Sequence, residues 1–268
     1  MAEWRERLAE YRRIPGLQQQ LGESAQAMCA PFWWSLQDIP NQPARILNNG
    51  TICYLNTGTA EIGVTANHVL DEYLGHLARY GDVAVECQFG SSTISPEKRV
   101  TAQHSRLDLA TVSVPEVFVT AGNRNPKTQH KPLKWPPAKA RIGELVLYGG
   151  HPGTLRVDNV RTADLPFQWV MGGVSDVSYE SIVLEPDFET LTWLNPEPGE
   201  TFNRDFAGMS GGPVFRVIDQ PLVRIELIGF IYLFVVDVDA DGQPKEEGHT
   251  VLARYADFVQ ADGTVVSL

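Results

Sequence analysis

Short β-like runs, each ended by Gly, Asn, Asp or Pro, recur along this chain from residue 44 onward. In the first half they cover residues 52–57, 62–65, 83–89 and 109–114. In the second half they cover residues 145–148, 169–170, 181–185, 213–218 and 222–236. Many short strands separated by turn residues are typical of antiparallel sheets. We therefore predict an all-β protein, and two β-barrels fit the two groups of strands better than one sandwich.

Helical periodicity is confined to three segments. Near the N-terminus, Trp4, Leu8 and Tyr11 form one apolar stripe, which predicts a helix packed on the body of the protein. A short helix is predicted after His68, where apolar residues recur at helical intervals. A short C-terminal helix is predicted over residues 254–260.

A basic, proline-rich stretch divides the two groups of strands. Residues 121–141 contain six Lys or Arg and no acid, which is typical of an extended linker, with a docking patch as the alternative. We predict an N-terminal helical extension over residues 1–43 and a first β-barrel over 44–120. The linker would then lead to a second β-barrel with its C-terminal helix over 142–268.

Composition narrows the classes of partner. The 268 residues include 22 Lys and Arg against 33 Asp and Glu, and this net charge of −11 argues against nucleic acid as a partner. No apolar run approaches the about 20 residues that span a membrane, and the first 14 residues lack a secretory-signal pattern. We therefore expect a cytoplasmic protein without a membrane partner. Three cysteines at scattered positions predict neither a disulfide framework nor a metal site.

The strongest chemical signal is the segment Gly208-Met209-Ser210-Gly211-Gly212. A nucleophilic serine needs a hydroxyl presented on a tight loop, with backbone N–H groups able to face a developing oxyanion. Small residues on both sides of Ser210 leave that approach open. A glycine-rich turn alone is weak evidence, because such turns occur in most β proteins.

A serine nucleophile needs a base, and the base needs an orienting acid. Among six histidines, His68 stands out because it directly follows an apolar strand. Asp108 precedes the alternating run 109–114, and period-2 alternation places it on the face of Ala110 and Val112. We therefore expect Asp108 to be buried with a polar partner. The other histidines are interpreted as surface or structural residues.

Three segments, in this order along the chain, resemble the motifs of trypsin-like (chymotrypsin-fold) serine peptidases, especially intracellular bacterial members. Thr65-Ala66-Asn67-His68 is similar to the family's T-A-x-H segment, Asp108-Leu109-Ala110 to its D-[IL]-A segment, and residues 208–213 to its G-x-S-G-G-P segment. The resemblance covers residues 50–260, including a loop at 149–153 similar to the G-Y-P-x-G loop of bacterial members. Residues 1–43 have no counterpart in the family.

The resemblance implies two perpendicular six-stranded antiparallel barrels with a cleft between them. It makes Ser210 the nucleophile, His68 the general base and acid, and Asp108 the orienting carboxylate, with the backbone N–H groups of Gly208 and Ser210 as the oxyanion hole. The implied activity is that of a serine endopeptidase, which acts on a protein or peptide substrate through an acyl-enzyme. It implies no cofactor and no metal.

Two positions depart from the family pattern. Met209 replaces the Asp that secreted members pair with a newly cut N-terminus, so activation by such an ion pair is excluded. The family's specificity pocket maps onto residues of mixed character, and a phenyl group at position 234 would narrow it, so cleavage specificity stays open. These pocket residues are Arg204, Asp205, Tyr232, Leu233, Phe234 and Gly248.

Residues 237–242 match the opening of a calcium-binding EF-hand loop. The twelfth position of that loop is Gly248, where a bidentate Glu is required, and strands flank the segment. We therefore interpret residues 237–242 as an acidic β-turn.

Two alternatives remain open at this point. The chain could be a catalytically silent protease fold that serves as a binding or regulatory module. If the chain is an enzyme, its oxyanion hole or pocket could be incomplete until an activating protein partner binds. The acidic segments 186–204 and 237–248 would then move to complete it. The alternative for an enzyme is a site that is always formed and has narrow specificity.

Overall fold

The computed structural model describes residues 3–36, 45–120, 127–158, 163–193, 206–219, 221–238 and 244–266. Within these ranges the regular structure is mostly β, as predicted. The α-helices are α1 (Glu3–Tyr11), α2 (Leu17–Ala27), α3 (Asn67–Tyr80) and α4 (Glu116–Thr120). Short 3-10 turns occur at Pro96–Lys98, Gly153–Leu155, Phe188–Thr190 and Ala256–Phe258.

The strands fall into two groups along the chain. Those of the first half are β1 (Cys29–Leu36), β2 (Arg45–Asn56), β3 (Glu61–Thr65), β4 (Val85–Phe89), β5 (Ser92–Ile94), β6 (Val100–His104) and β7 (Leu109–Ser113). Those of the second half are β8 (Leu145–Gly150), β9 (Val157–Asp158), β10 (Ala163–Asp164), β11 (Gln168–Val177), β12 (Ser181–Pro186), β13 (Thr192–Trp193), β14 (Pro213–Ile218), β15 (Arg224–Val238) and β16 (Pro244–Tyr255).

The first half forms one curled, antiparallel sheet in the order β5-β4-β1-β2-β3-β7-β6. The register pairs Thr65, the last residue of β3, with Ala110 in β7. The chain leaving β3 enters α3 at once, so His68 in the first turn of α3 comes next to Asp108, which directly precedes β7. The sheet register therefore brings these two residues close together.

The second half forms a closed barrel of six strands. Its sheet runs β12-β16-β15-β14-β8-β11, and a further pairing between β11 and β12 closes the ring. β8 is buried along its whole length, as expected for a strand packed on both faces. The short strand β13 pairs with β11 of this barrel, and β9 pairs with β10 in a separate ribbon.

The first half differs from the predicted six-stranded barrel. It contains seven strands, and within the described ranges no pairing joins β5 to β6 to close a ring. β5 is only three residues long, and the side chains of β6 are exposed or half-buried, so these edges offer little apolar surface for closure.

The N-terminal segment is helical only as far as Ala27. Trp4, Leu8 and Tyr11 are buried, which confirms the predicted apolar stripe. Gly173 of the second barrel allows α1 to pack closely against it, because a Cβ at this position would lie 2.1 Å from the Trp4 indole. Residues 29–36, predicted as part of the helical extension, instead form β1, a central strand of the first sheet.

Two other segments also differ from their predicted structure. The predicted C-terminal helix is a 3-10 turn at Ala256–Phe258, and Arg254 still belongs to β16 because it pairs with both Ser181 and Phe230. Lys127 and His130, expected in an exposed linker, are buried, and the Lys127 ammonium donates to the carbonyl of Gln26 at 2.9 Å. For Arg254, the pairing of its backbone with a strand on each side outweighs the local helical pattern of residues 254–260.

Among the described residues, no helix is long and apolar enough to cross a membrane.

Candidate active site

The carboxylate of Asp108 binds both the backbone and the ring of His68. Asp108 Oδ1 accepts a hydrogen bond from the His68 backbone N–H at 2.8 Å, and Asp108 Oδ2 lies 2.7 Å from His68 Nδ1. The backbone N–H is one of the donors that the first turn of a helix leaves without an intrahelical partner. With Nδ1 donating to a carboxylate, the neutral ring keeps its lone pair on Nε2, as a general base requires.

The hydrogen bond that His68 donates to Asp108 raises the pKa of His68, and partial burial of the ring opposes this effect. The charges of Asp108, Glu72 and Asp71 raise the pKa further. The His68 side chain is 51% exposed, whereas that of Asp108 is 19% exposed. The imidazole is therefore held from the protein side and open toward solvent on the other.

Asp108 lies in a tight turn just before β7 and not in the strand itself. Its φ of 53° is the only positive value at a non-glycine residue in the described part of the chain. The turn is closed by a bond from the Asp108 N–H to the Ser105 carbonyl at 3.2 Å, and its neighbours Leu107 and Leu109 are buried. Left-handed backbone at a non-glycine residue is costly and tends to occur at functional sites. Asp108 is half-buried and not fully buried as predicted, because it lies in this turn and not on the apolar face of the strand. Its polar partner is His68.

Two glycines shape the loop that carries Ser210. Gly208 and Gly211 have φ values of 97° and 87°, which side chains rarely adopt. The Met209 N–H donates to the Phe206 carbonyl at 2.9 Å, and the Gly212 N–H donates to the Met209 carbonyl at 2.8 Å. Two successive turns therefore surround Ser210.

Thr51 of β2 joins this loop to the first sheet. Its N–H donates to the Ser210 carbonyl at 2.9 Å, and its hydroxyl donates to the Gly208 carbonyl at 3.0 Å. A Cβ on Gly211 would lie 2.1 Å from the Thr51 carbonyl oxygen and 2.7 Å from the hydroxyl oxygen of Thr65. Thr65 is only three residues before His68, so the loop of Ser210 lies against the same end of the first sheet that carries His68.

The peptide between Ala207 and Gly208 has a defined orientation. The Ala207 carbonyl accepts a hydrogen bond from the Gly153 N–H at 2.7 Å. Because the C=O and N–H of a trans peptide point in opposite directions, the Gly208 N–H points away from Gly153. In the described part of the structure, neither this N–H nor that of Ser210 donates to a protein acceptor. Two N–H groups around the serine are thus available to an incoming anion.

Ser210 itself is half-buried. Across the described ranges, no hydrogen bond joins its hydroxyl to His68, although both residues lie at the same junction between the two sheets. The structure brings His68 and Asp108 into direct contact and places the Ser210 loop beside them through Thr51 and Thr65.

The predicted pocket residues are only partly described. Arg204 and Asp205 lie outside the described residues, as do residues 194–203 of the acidic segment and residues 239–242 of the acidic turn. Phe234 packs edge-on against Phe206, with ring centroids 4.4 Å apart, and is stacked on His249 at 5.6 Å. Leu233 is exposed. Tyr232 lies under the guanidinium of Arg254, and Gly248 lies in β16.

His151 illustrates a structural histidine near the site. Its backbone N–H donates to the Thr51 hydroxyl at 2.9 Å, and its ring Nδ1 donates to the Leu165 carbonyl at 2.7 Å. Burial, assisted by the charge of Lys127, lowers the pKa of His151 to about 3. The ring therefore stays neutral and helps to shape the loop that holds Ala207.

Sequence reasoning missed Thr51 and Arg254. A single threonine in a strand and a single arginine near a C-terminus give no local signal, because their importance comes from contacts with distant segments. Gly153 had a signal, because it belongs to the glycine-rich loop at residues 149–153.

In the described part of the chain, no three His, Cys, Asp or Glu side chains converge as metal ligands. No protein-family model matches the chain, and neither does any curated protein.

Proposed function

We propose that this protein is a serine endopeptidase, with Ser210 as nucleophile, His68 as general base and acid, and Asp108 as the orienting carboxylate. The observation that carries the proposal is the pair of hydrogen bonds that the Asp108 carboxylate accepts from His68. Beside this pair lies a serine loop with two backbone N–H groups that have no protein acceptor in the described structure. Nucleophile, base, orienting acid and oxyanion donors are the parts that acyl transfer requires.

In the proposed reaction, Ser210 Oγ attacks the carbonyl carbon of the scissile peptide bond, and its proton passes to His68 Nε2. The carbonyl oxygen becomes an oxyanion that accepts hydrogen bonds from the N–H groups of Gly208 and Ser210. The intermediate then collapses, the C–N bond breaks, and His68 gives the proton to the leaving amine. Water, deprotonated by His68, hydrolyses the acyl-enzyme in the same way and regenerates Ser210.

Asp108 supports this cycle without taking up the proton. Its carboxylate stabilises the imidazolium that forms after each proton transfer, and it keeps Nε2 facing the serine side. Because the backbone N–H of His68 binds Oδ1 of Asp108, the second oxygen Oδ2 is held in place for the ring, and rotation of the ring would break its bond from Nδ1.

We also propose that the fold is of the trypsin-like type, with two β-units and a site between them. A closed six-stranded barrel beside a curled antiparallel sheet, joined at the Ser210 loop, supports this relation. The proposal includes a cytoplasmic location and a protein or peptide substrate.

An activating partner would have fewer parts of the site to complete than the sequence suggests. The orientation of the Ala207 peptide supports an oxyanion hole that is formed in the isolated chain. Any activation by a partner would then act on the pocket beside Phe234 and not on the N–H groups.

A catalytically silent binding module is the second candidate. It is favoured by the aromatic packing of Phe234 against Phe206 and His249, which occupies space next to the serine loop. It is also favoured by the missing hydrogen bond between Ser210 and His68 in the described structure, although apo enzymes often tighten this bond only on binding substrate.

A fluorophosphonate probe separates the two candidates. The enzyme hypothesis predicts covalent labelling of the folded wild-type chain, loss of labelling in Ser210→Ala, and unchanged labelling in the control Ser24→Ala, whose hydroxyl donates to the Gln20 carbonyl within α2. Folded wild-type protein that does not react would favour the binding module, and labelling that survives in Ser210→Ala would exclude Ser210 as nucleophile.

A further inference from the structure

Arg254, at the end of β16, reaches from the second barrel to the turn that carries Asp108. Its Nε donates to the Leu107 carbonyl at 2.8 Å, and one terminal nitrogen donates to the Arg106 carbonyl at 3.3 Å. The side chain is only 10% exposed. These two carbonyls belong to the two residues that immediately precede Asp108 in the chain.

The guanidinium is fixed from the other sides as well. Its second terminal nitrogen donates to the Glu180 carbonyl at 3.3 Å and to the Ser181 hydroxyl at 3.2 Å, and the Glu180 carboxylate lies 3.8 Å away. The ring of Tyr232 lies under it, with the guanidinium carbon 3.9 Å from the ring centroid. A planar group with several donors and an aromatic face beneath it loses little entropy per hydrogen bond formed.

The turn held by Arg254 is strained. Asp108 has a φ of 53°, a region that non-glycine residues occupy only when the surrounding structure imposes it. Arg106 also forms an ion pair with Glu180, but that pair is exposed on the arginine side, and exposed pairs contribute little. The bonds of the buried Arg254 to two successive carbonyls are thus the stronger restraint on this turn.

We propose that Arg254 is a positioning residue, which holds the turn of Asp108 so that both carboxylate oxygens meet His68. The inference rests on the proposed function, because it concerns the orientation of the proposed base. Arg254 acts through Asp108 and contacts neither His68 nor the serine loop in the described hydrogen-bond network.

The demand on this geometry is high. Asp108 must place one oxygen 2.8 Å from the His68 backbone nitrogen and the other 2.7 Å from the ring nitrogen at the same time. A misplacement of about 1 Å in a catalytic constellation can lower the rate about 100-fold. Relaxation of the turn toward an unstrained conformation would therefore reduce activity without removing any catalytic side chain.

A change in orientation would also alter the titration of His68. The groups that raise its pKa are Asp108 from the turn before β7 and Asp71 and Glu72 from α3, with the Asp108 hydrogen bond as the largest cause. Arg254 bonds to carbonyl oxygens and not to the Asp108 carboxylate. Loss of the Arg254 bonds to these carbonyls should therefore lower the pKa of His68, because the hydrogen bond between Asp108 and His68 would weaken.

The test compares Arg254→Met with the control Arg216→Met in the full chain. Arg216 is a matched residue, because its side chain is 11% exposed and pairs with Glu144 and Glu226 away from the Asp108 turn. The readouts are the pKa of His68, measured by NMR on ¹⁵N-histidine protein and assigned with His68→Gln, and the separate values of kcat and KM.

We expect Arg254→Met to lower the pKa of His68 and to reduce kcat about 10- to 100-fold with little change in KM. Arg216→Met should leave both unchanged. Arg254→Lys should show an intermediate pKa and rate, because one ammonium cannot bond both carbonyls with the geometry of a guanidinium fork.

An unchanged His68 pKa in folded Arg254→Met would overturn the proposal, as would an equal shift in Arg216→Met. If Arg254→Met does not fold, Arg254→Lys decides the question by the same readouts. The NMR titration needs no turnover, so a wild-type chain that is inactive would refute the proposed function while leaving this measurement valid.

Discussion

The backbone N–H of Gly153 donates to the carbonyl of Ala207 at 2.7 Å, and this one bond orients the next N–H, that of Gly208, away from Gly153. A Cβ on Gly208 would lie 2.5 Å from the Asn49 amide nitrogen and 2.7 Å from the Gly153 nitrogen, and its φ is 97°. The conformation of the proposed oxyanion hole therefore depends on glycine at position 208.

We expect Gly208→Ala to lower kcat about 100- to 1000-fold, the usual loss for one oxyanion-hole donor, because alanine keeps the N–H but not the φ of 97° that orients it. It should also destabilise the fold by about 1 kcal/mol or more, because alanine is strained at positive φ. The control is Gly75→Ala in α3, which has open space around its Cβ and should keep full activity. Steady-state kinetics and thermal denaturation measure both effects, and wild-type kcat in Gly208→Ala would contradict this assignment.

Ser210→Ala, His68→Ala and Asp108→Asn should each impair hydrolysis severely. Because the three residues act as a unit, adding either of the last two changes to Ser210→Ala should cause little further loss. Ser210→Ala should keep a melting temperature near that of the wild type, since one half-buried hydroxyl without a hydrogen bond in the described structure contributes little to stability. Losses that add up across the combined variants would count against a shared mechanism.

The pH dependence of kcat/KM follows from the state of His68. The base must be neutral, so kcat/KM should rise with pH through the pKa of His68 in the free enzyme. Because Asp108 raises this pKa, the acid limb should lie above the ordinary value of 6.5. Asp108→Asn should move the limb down, and Asp71→Asn should move it less, since its charge is the weakest of the named causes. A limb below 6.5 in the wild type would contradict the observed pairing.

Two buried histidines predict loss of stability in acid. Burial lowers the pKa of His130 to about 4 and that of His151 to about 3. The unfolded chain therefore binds more protons than the folded chain between about pH 6.5 and these values, so stability present above pH 6.5 should fall as pH decreases. For His130 alone the loss is on the order of 3 kcal/mol by pH 4. Urea denaturation across this range should show it, and His151→Asn should flatten the slope. An equally steep slope in that variant would refute the role of His151.

Phe234 should control the size of side chain that the site accepts. Its ring is 4.4 Å from that of Phe206, which belongs to the same loop as Ser210. We expect Phe234→Ala to increase kcat/KM for peptides with large residues before the cleavage site relative to those with Ala or Gly. Val235→Ala, at an exposed neighbouring position, is the control. A peptide library gives the comparison, and an unchanged preference in Phe234→Ala would place the specificity-determining contacts elsewhere.

Local patterns predicted the elements that carry the site better than the contacts that assemble it. The run at 109–114 and the helical spacing after His68 correspond to β7 and α3. The spacing in α3 follows from burial of one helix face, whereas the first four residues of β7 are all buried, so a short apolar run marks that strand. β1 was missed because its residues are buried on both faces and include Pro31, so no alternation appears. β16 was missed because it begins with a polar run, Pro244 to Gly248, and ends with helical spacing.

The links between the two halves could not be predicted from the sequence. Thr51 and Ser210 are joined by a backbone hydrogen bond, and Arg254 and Leu107 by a bond to a carbonyl, across large separations in the chain. Backbone acceptors carry no sequence signature, so such contacts become visible only when the register and the barrel are known. The strained turn at Asp108 is a further example, because aspartate at positive φ is uncommon and its sequence neighbours indicate a strand.

The proposed reaction requires that Ser210 Oγ forms an acyl-enzyme. The most direct measurement is the reaction with p-nitrophenyl acetate, followed by mass-spectrometric mapping of the acetyl group in protein quenched with acid. We predict a burst of about one p-nitrophenol per chain and a single acetyl group on the peptide that contains Ser210, absent in Ser210→Ala and strongly reduced in His68→Ala. Acetyl groups spread over lysines and other serines, or none on Ser210 in folded wild-type protein, would exclude Ser210 as the nucleophile.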